Sequence, residues 1–175
     1  MDLAGHISAA ALADMLRSSI QQGQPPTLAV TSNSMMPLLM RGDEVTLTAL
    51  PSETPFPGDV ITFLSGQSLV THRFWRTDLR NGRTYWLTRG DRPLQFDPPF
   101  LPEQAIGRVD ARHRNGRTLF LSSGAGAKLN RHLAALAQWE QRRHPNRLLH
   151  RLLLAWAFVV SSIASLVAAI ENRKS

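Results

Sequence analysis

Between Leu28 and Leu121 the chain repeats one texture: short runs of alternating apolar and polar residues, cut by glycine, proline and asparagine. Seven such runs stand out: LAVT (28–31), EVTLTAL (44–50), DVITFL (59–64), SLVTHRFWR (68–76), RTYWLTR (83–89), AIGRVDARHR (105–114) and RTLFL (117–121). A period of two is the strand period, because successive side chains leave a strand on opposite faces. Asn81-Gly82 and Asn115-Gly116 are strong two-residue hairpin signals, since both residue types accept positive φ; Ser65-Gly66 is a weaker one. Seven strands with close turns and no helix between them predict a mainly β domain, a small curled sheet or barrel.

Helical spacing brackets this region. Leu12, Met15, Leu16 and Ile20 predict one amphipathic helix from about Ser8 to Gln21, ended by Gly23 and Pro25-Pro26 and packing on the domain that follows. The first residues lack the basic and apolar regions of a secretory signal. After Ser122-Ser123-Gly124 the spacing of Leu129, Leu133, Leu136 and Trp139 predicts a second helix over 127–142, broken at Pro145. Leu152 to Ile170 then runs 19 residues without a charge, about 28 Å as a helix, close to the hydrocarbon thickness of a bilayer. The predicted organisation is therefore an N-terminal helix and linker (1–26), a β domain (27–122) and a basic helical tail (123–175).

Charge follows the same division. Residues 1–100 carry 8 Lys+Arg against 9 Asp+Glu, net −1; residues 101–175 carry 12 against 4, net +8. An anionic membrane or a nucleic acid suits such a segment. Nucleic acid is disfavoured, because aromatic and basic residues do not interleave as single-strand binding requires. The membrane is the expected partner, through residues 152–170 with their flank of Arg142, Arg143, Arg147 and Arg151. That flank, by the positive-inside rule, favours a cytoplasmic position for the β domain. With 43% hydrophobic and 19% charged residues the chain is no disordered polymer. Cysteine is absent, which excludes disulfide scaffolds, thiolate nucleophiles and cysteine-ligated metals. His6, His72, His113, His132, His144 and His150 form no i, i+4 pair, so neither metal nor cofactor is expected.

Four local features of the β region carry chemistry. Ser32-Asn33-Ser34-Met35-Met36-Pro37 leads into Arg41-Gly42-Asp43; His72 falls inside a strand; Thr88-Arg89-Gly90-Asp91 and Asp97 stand at turns. A serine hydroxyl is a weak nucleophile until a neighbouring base takes its proton, and a carboxylate fixes that base's tautomer. Imidazole is the side chain suited to this at neutral pH. A lone serine is more often a turn residue, a lone strand histidine more often a satisfied core group, and either aspartate more often a turn cap. Residue types alone leave Asp91 and Asp97 both open.

The order and wording of these features resemble the signal peptidase I superfamily, most of all its endoplasmic-reticulum-type, SipW-like branch. The serine box and Gly-Asp are matched by SNSMMPLLMRGD (32–43), and a Pro-Gly-Asp-Val strand by Pro57-Gly58-Asp59-Val60. The His-Arg pair is matched by His72-Arg73, the Thr-Lys-Gly-Asp segment by Thr88-Arg89-Gly90-Asp91 with Asp97 six residues on, and the closing strand by Gly107-Arg108-Val109. The resemblance spans about residues 28–110. It implies a serine endopeptidase acting on a signal or leader segment of a peptide or preprotein. Ser34 is then the nucleophile, His72 the base, Asp97 its orienting acid and Asp91 a supporting structural or catalytic carboxylate. The Ser34 N–H and Ser32 hydroxyl would form the oxyanion site. It further implies an extended substrate with small side chains at the first and third positions before the cut, in a groove for which Met35, Met36, Phe63 and Phe74 are candidates.

The two lysines, Lys128 and Lys174, lie outside the β region, consistent with the histidine branch. Departures from the pattern are Asn33, a residue tolerant of left-handed turns, where glycine is frequent; Arg89 where lysine is usual; and no apolar stretch long enough to span a membrane ahead of the serine box. Three other readings share these features. A cytoplasmic leader peptidase uses the same site; a self-cleaving regulator of the LexA type needs a lysine base and a DNA-binding domain; a membrane-binding β module has no catalysis at all.

Overall fold

The computed structural model describes residues 7–50, 54–143 and 147–171, without the Glu171 side chain. Helix α1 (Ala9–Gln21) precedes strands β1 (Thr27–Ala29), β2 (Glu44–Thr48), β3 (Val60–Ser65), β4 (Ser68–Arg80), β5 (Arg83–Arg89), β6 (Ala105–Arg114) and β7 (Arg117–Phe120). Helices α2 (Gly124–Arg142) and α3 (Arg147–Glu171) follow. The strands form one antiparallel sheet in the order β1-β2-β6-β3-β4-β5, with β7 beside β6. Among the described residues β1 and β5 do not pair, so the sheet stays open and does not close as a barrel.

All seven predicted strands form, β4 running to Arg80 instead of Arg76. Asn81-Gly82 and Asn115-Gly116 turn the β4–β5 and β6–β7 hairpins with positive φ at all four residues (51°, 74°, 50° and 71°), as two-residue turns between right-twisted strands demand. The β3–β4 turn sits one residue later than expected. Ser65 pairs with Ser68, so its loop is Gly66-Gln67 with Gly66 at φ 57°.

The sheet is buried on both faces. Val60 faces one core with Met35, Leu38, Leu39, Val45, Leu47, Val109 and Leu119, over which α1, α2 and α3 pack. One residue along, Ile61 and Phe63 face a second core with Phe74, Trp86 and Phe100. Phe63 and Phe100 stack with centroids 3.9 Å apart, and Trp86 meets Phe74 edge-on at 5.5 Å.

Helix α1 starts where Ser8 accepts the Ala11 N–H; of its expected apolar face Leu16 is buried and Leu12 and Ile20 pack against the core, whereas Met15 is exposed and Ala13 is buried instead. Arg17 ties it to the carbonyls of Glu103, Gln104 and Ala105. Helix α2 begins three residues before its expected start and buries Leu129 and Leu133, whereas Trp139 stays exposed beneath the Arg143 guanidinium. His6, His144 and Pro145 lie outside the described residues. Helix α3 contains the expected apolar run; its stretch Arg147–Ile170 is long and apolar enough to cross a membrane.

Candidate active site

Ser34 sits on a loop that its neighbours hold from below. Met35, Leu38 and Leu39 are buried in the first core, and the intervening Met36–Pro37 peptide is cis. Asn33 serves this loop through its side chain, whose oxygen accepts the Arg41 N–H. Its φ is not positive, so the left-handed tolerance expected of it is not used. Asp43 accepts the Met40 N–H and is gripped by both ends of the Arg114 guanidinium at 2.6 Å. On the far side, the Arg92 N–H donates to the Ser34 carbonyl at 2.9 Å. Gly90 permits this approach: a Cβ there would lie 2.7 Å from the Ser34 carbonyl oxygen. The Thr-Arg-Gly-Asp segment and the serine box are therefore packed backbone against backbone.

Strand β4 brings His72 across. Its Nε2 lies 2.8 Å from the Ser34 Oγ, and its Nδ1 lies 2.7 Å from the Asp97 Oδ2. Asp97 is itself held, because Thr88 donates its hydroxyl to the same oxygen at 2.6 Å and the Asp97 N–H donates to the Thr88 carbonyl. The Ser32 and Ser34 hydroxyl oxygens are 3.2 Å apart. His72 is 8% exposed, which leaves an edge open toward substrate while the ring stays fixed. Serine, imidazole and carboxylate thus lie in line at hydrogen-bond distance, the geometry of proton removal from a nucleophilic hydroxyl.

The two aspartates separate cleanly. Asp97 meets His72. Asp91 does not reach the ring; both its oxygens accept from Arg73, at 2.7 Å each. Arg73 also donates to the Gly58 carbonyl and the Asn130 side chain, so this buried pair ties β4 to the site loop and to α2. Of the two aspartates, Asp97 makes the hydrogen bond to His72 and Asp91 pairs with Arg73. Asp59 of the Pro-Gly-Asp-Val run caps a turn by accepting the Phe56 N–H; burial pushes its carboxyl above the ordinary aspartate range.

An open groove of about 640 Å³ runs past Ser34 and His72. One wall is Leu28–Ser32, the β1 strand and its extension; the other is the start of β4, Gln67–His72; Ala9 and Leu12 of α1 also line it. Among the described residues β1 pairs with β2 alone, and Ser68–His72 pair with β3 alone, since β5 joins β4 only from Arg73 onward. Both walls therefore present an edge that an extended chain can extend. Met35 lines this groove as expected. Met36 is half-buried and does not line it. Phe63 and Phe74 are excluded from it, 1% and 2% exposed inside the second core; His72 shares their sheet face, as cross-strand partner of Ile61, but lies nearer the edge where the groove opens.

Sequence reasoning missed three supports. Thr88, the Arg73–Asn130 link and the contact of His150 with the Arg92 carbonyl (2.7 Å) all join residues distant along the chain, and no local pattern marks them. Only Thr88 carried a signal, as the first residue of the Thr-Arg-Gly-Asp segment. Compared with protein-family models and with curated protein sequences, the chain finds no match in either.

Proposed function

We propose that the protein is a serine endopeptidase of the signal peptidase type that cleaves a signal or leader segment and associates with a membrane through α3. The observation that carries this reading is the line Ser34–His72–Asp97, with spacings of 2.8 and 2.7 Å, at the floor of a groove bounded by two unpaired strand edges.

An extended peptide adds as a strand to the edges of β1 and β4, which brings its scissile carbonyl over Ser34. His72 takes the Ser34 proton as the Oγ attacks. Asp97 accepts from the Nδ1–H and stabilises the imidazolium that forms. The oxyanion is met by the Ser34 N–H and the Ser32 hydroxyl; one such donor is worth about 3–4 kcal/mol of barrier. His72 then protonates the leaving amine, and water, activated by the same ring, releases the acyl group from Ser34. The resemblance to signal peptidases implies alanine-sized residues at the first and third positions before the cut.

The test is a library of extended peptides with alanine at those two positions. The native protein cleaves a subset after the second alanine. Ser34→Ala abolishes that cleavage and His72→Ala does the same, each melting where the native protein melts. A folded Ser34→Ala protein that cleaves at the native rate overturns the proposal.

A further inference from the structure

Helix α3 does not stand away from the domain. Ala157, Ala164 and Ala168 are buried in the first core, His150 bonds Glu140 and Arg92, and Ser165 accepts from Arg112 at 2.9 Å. The helix is docked along its length. Its other face is apolar and bare: Leu152, Trp156, Val159, Ile163, Leu166 and Ile170, at steps of four, three, four, three and four, are each more than half exposed. Arg147 and Arg151 are exposed at the same helix's first turns.

Beside α3, against the β6–β7 hairpin, opens a cleft of about 420 Å³ lined by Arg112, Arg114, Arg117, Ser161, Ser162 and Phe158. Arg114 and Arg117 are direct cross-strand partners, a like-charge pair that is unfavourable alone. Asp43 neutralises Arg114. Among the described residues Arg112 has no hydrogen-bonded carboxylate, although the Asp43 charge acts on it too: it is 2% exposed, bonds the Leu38 carbonyl and Ser165, and leaves its Nε without a hydrogen bond. Burial, then the neighbouring Arg114, pull the Arg112 guanidinium down to about 10, so its charge is held at a cost at neutral pH. The Ser161 hydroxyl, 4% exposed, also lacks a partner. Three guanidiniums, one carboxylate and two unsatisfied donors at a cleft describe a site short of an anion.

We propose that this cleft takes the phosphate of an anionic phospholipid headgroup, with α3 lying flat on the bilayer and its bare face among the acyl chains. The planar, forked guanidinium suits phosphate, and an apolar face flanked by arginines suits the boundary between headgroups and hydrocarbon. The lipid supplies both halves of what the surface lacks. This rests on the membrane part of the proposed function and not on its peptidase part.

The test is flotation of the intact protein with vesicles of phosphatidylcholine, pure or one-third phosphatidylglycerol. Binding is expected to the anionic vesicles, and Arg117→Glu or Ser162→Glu, both at exposed positions, should each weaken it about tenfold or more. Peptide cleavage in detergent should stay unchanged, so loss of flotation and loss of catalysis are read separately. The chain has no cysteine, so Leu79→Cys and Ser175→Cys report sidedness cleanly: an impermeant maleimide should reach both from the side of addition. Labelling from opposite sides overturns the flat arrangement. Equal binding by the native protein and both glutamate variants overturns the headgroup site. Stabilisation by inorganic phosphate without preference for anionic vesicles assigns the cleft to a free anion and overturns the lipid. Failure to float on any vesicle removes the membrane part of the proposed function as well.

Discussion

The protein holds two histidines in nearly the same local chemistry. His72 sets its Nδ1 2.7 Å from the Asp97 carboxylate; His150 sets its Nδ1 2.8 Å from that of Glu140. Each side chain is 10% exposed. They part company at Nε2. In His72 it faces a hydroxyl, Ser34 Oγ, that can give up a proton; in His150 it faces the Arg92 carbonyl, which can only accept. A carboxylate–imidazole pair is therefore no active site by itself. The atom beyond the ring, and a groove reaching that atom, make the difference. Only the His72 ring lines the groove that also contains Ser34.

The sharpest way to break this contrast is Asp97→Asn. The amide can present its NH₂ to Nδ1, which forces the ring proton onto Nε2, where it points at Ser34 and blocks the base. A fall in kcat/KM of about 10⁴, some 5 kcal/mol of barrier, is expected with stability little changed. A variant within tenfold of the native rate would move the orienting role to another group.

Asp91→Asn reads the other carboxylate. It removes the charge that both ends of Arg73 hold, in a pair whose side chains are 2% and 9% exposed. Breaking a buried pair from one side costs about 3–5 kcal/mol, so the urea midpoint should drop sharply. Cleavage per folded molecule should fall far less than in Asp97→Asn. An equal loss of rate at unchanged stability would show that Asp91 acts in the chemistry.

These two aspartates also mark how far the sequence could be read. The seven strands and both Asn-Gly turns follow from period two and backbone permissiveness, which are local; all seven strands form, some with ends shifted by one to four residues, and both turns appear where expected. The serine, the histidine and two acids were legible as a set. Which acid meets the ring was not, because Arg73 captures Asp91 across 18 residues and nothing local to either acid records that. Phe63 and Phe74 were misplaced for a related reason. Alternation puts them on the same face as His72, but it does not tell which residues of that face stack into a core and which reach the groove. Helix α3 shows the same limit: length and hydropathy describe a segment that can span a bilayer, whereas Arg112, Leu119 and Leu133, all distant in sequence, hold it against the domain.

His150→Ala completes the comparison with the smallest expected effect. Glu140 is buried between α2 and α3 with Arg89 3.7 Å away, and the Arg92 carbonyl is part-buried in the loop after β5. Arg89 is stacked over Trp75, and burial holds its guanidinium below the ordinary arginine range. Losing the imidazole leaves Glu140 and the Arg92 carbonyl each short of a donor, a cost of about 1–3 kcal/mol. Thermal unfolding should therefore come earlier, led by separation of α3 from the domain. The Arg92 peptide also donates to the Ser34 carbonyl, so some loosening reaches the nucleophile. That path runs through backbone and predicts a loss of rate of only a few-fold, against near-total loss for His72→Ala. His72→Ala in turn should leave the unfolding temperature close to native. If His150→Ala abolished cleavage in a protein of native stability, the second pair would belong to the reaction, and the distinction drawn from the atom at Nε2 would fail.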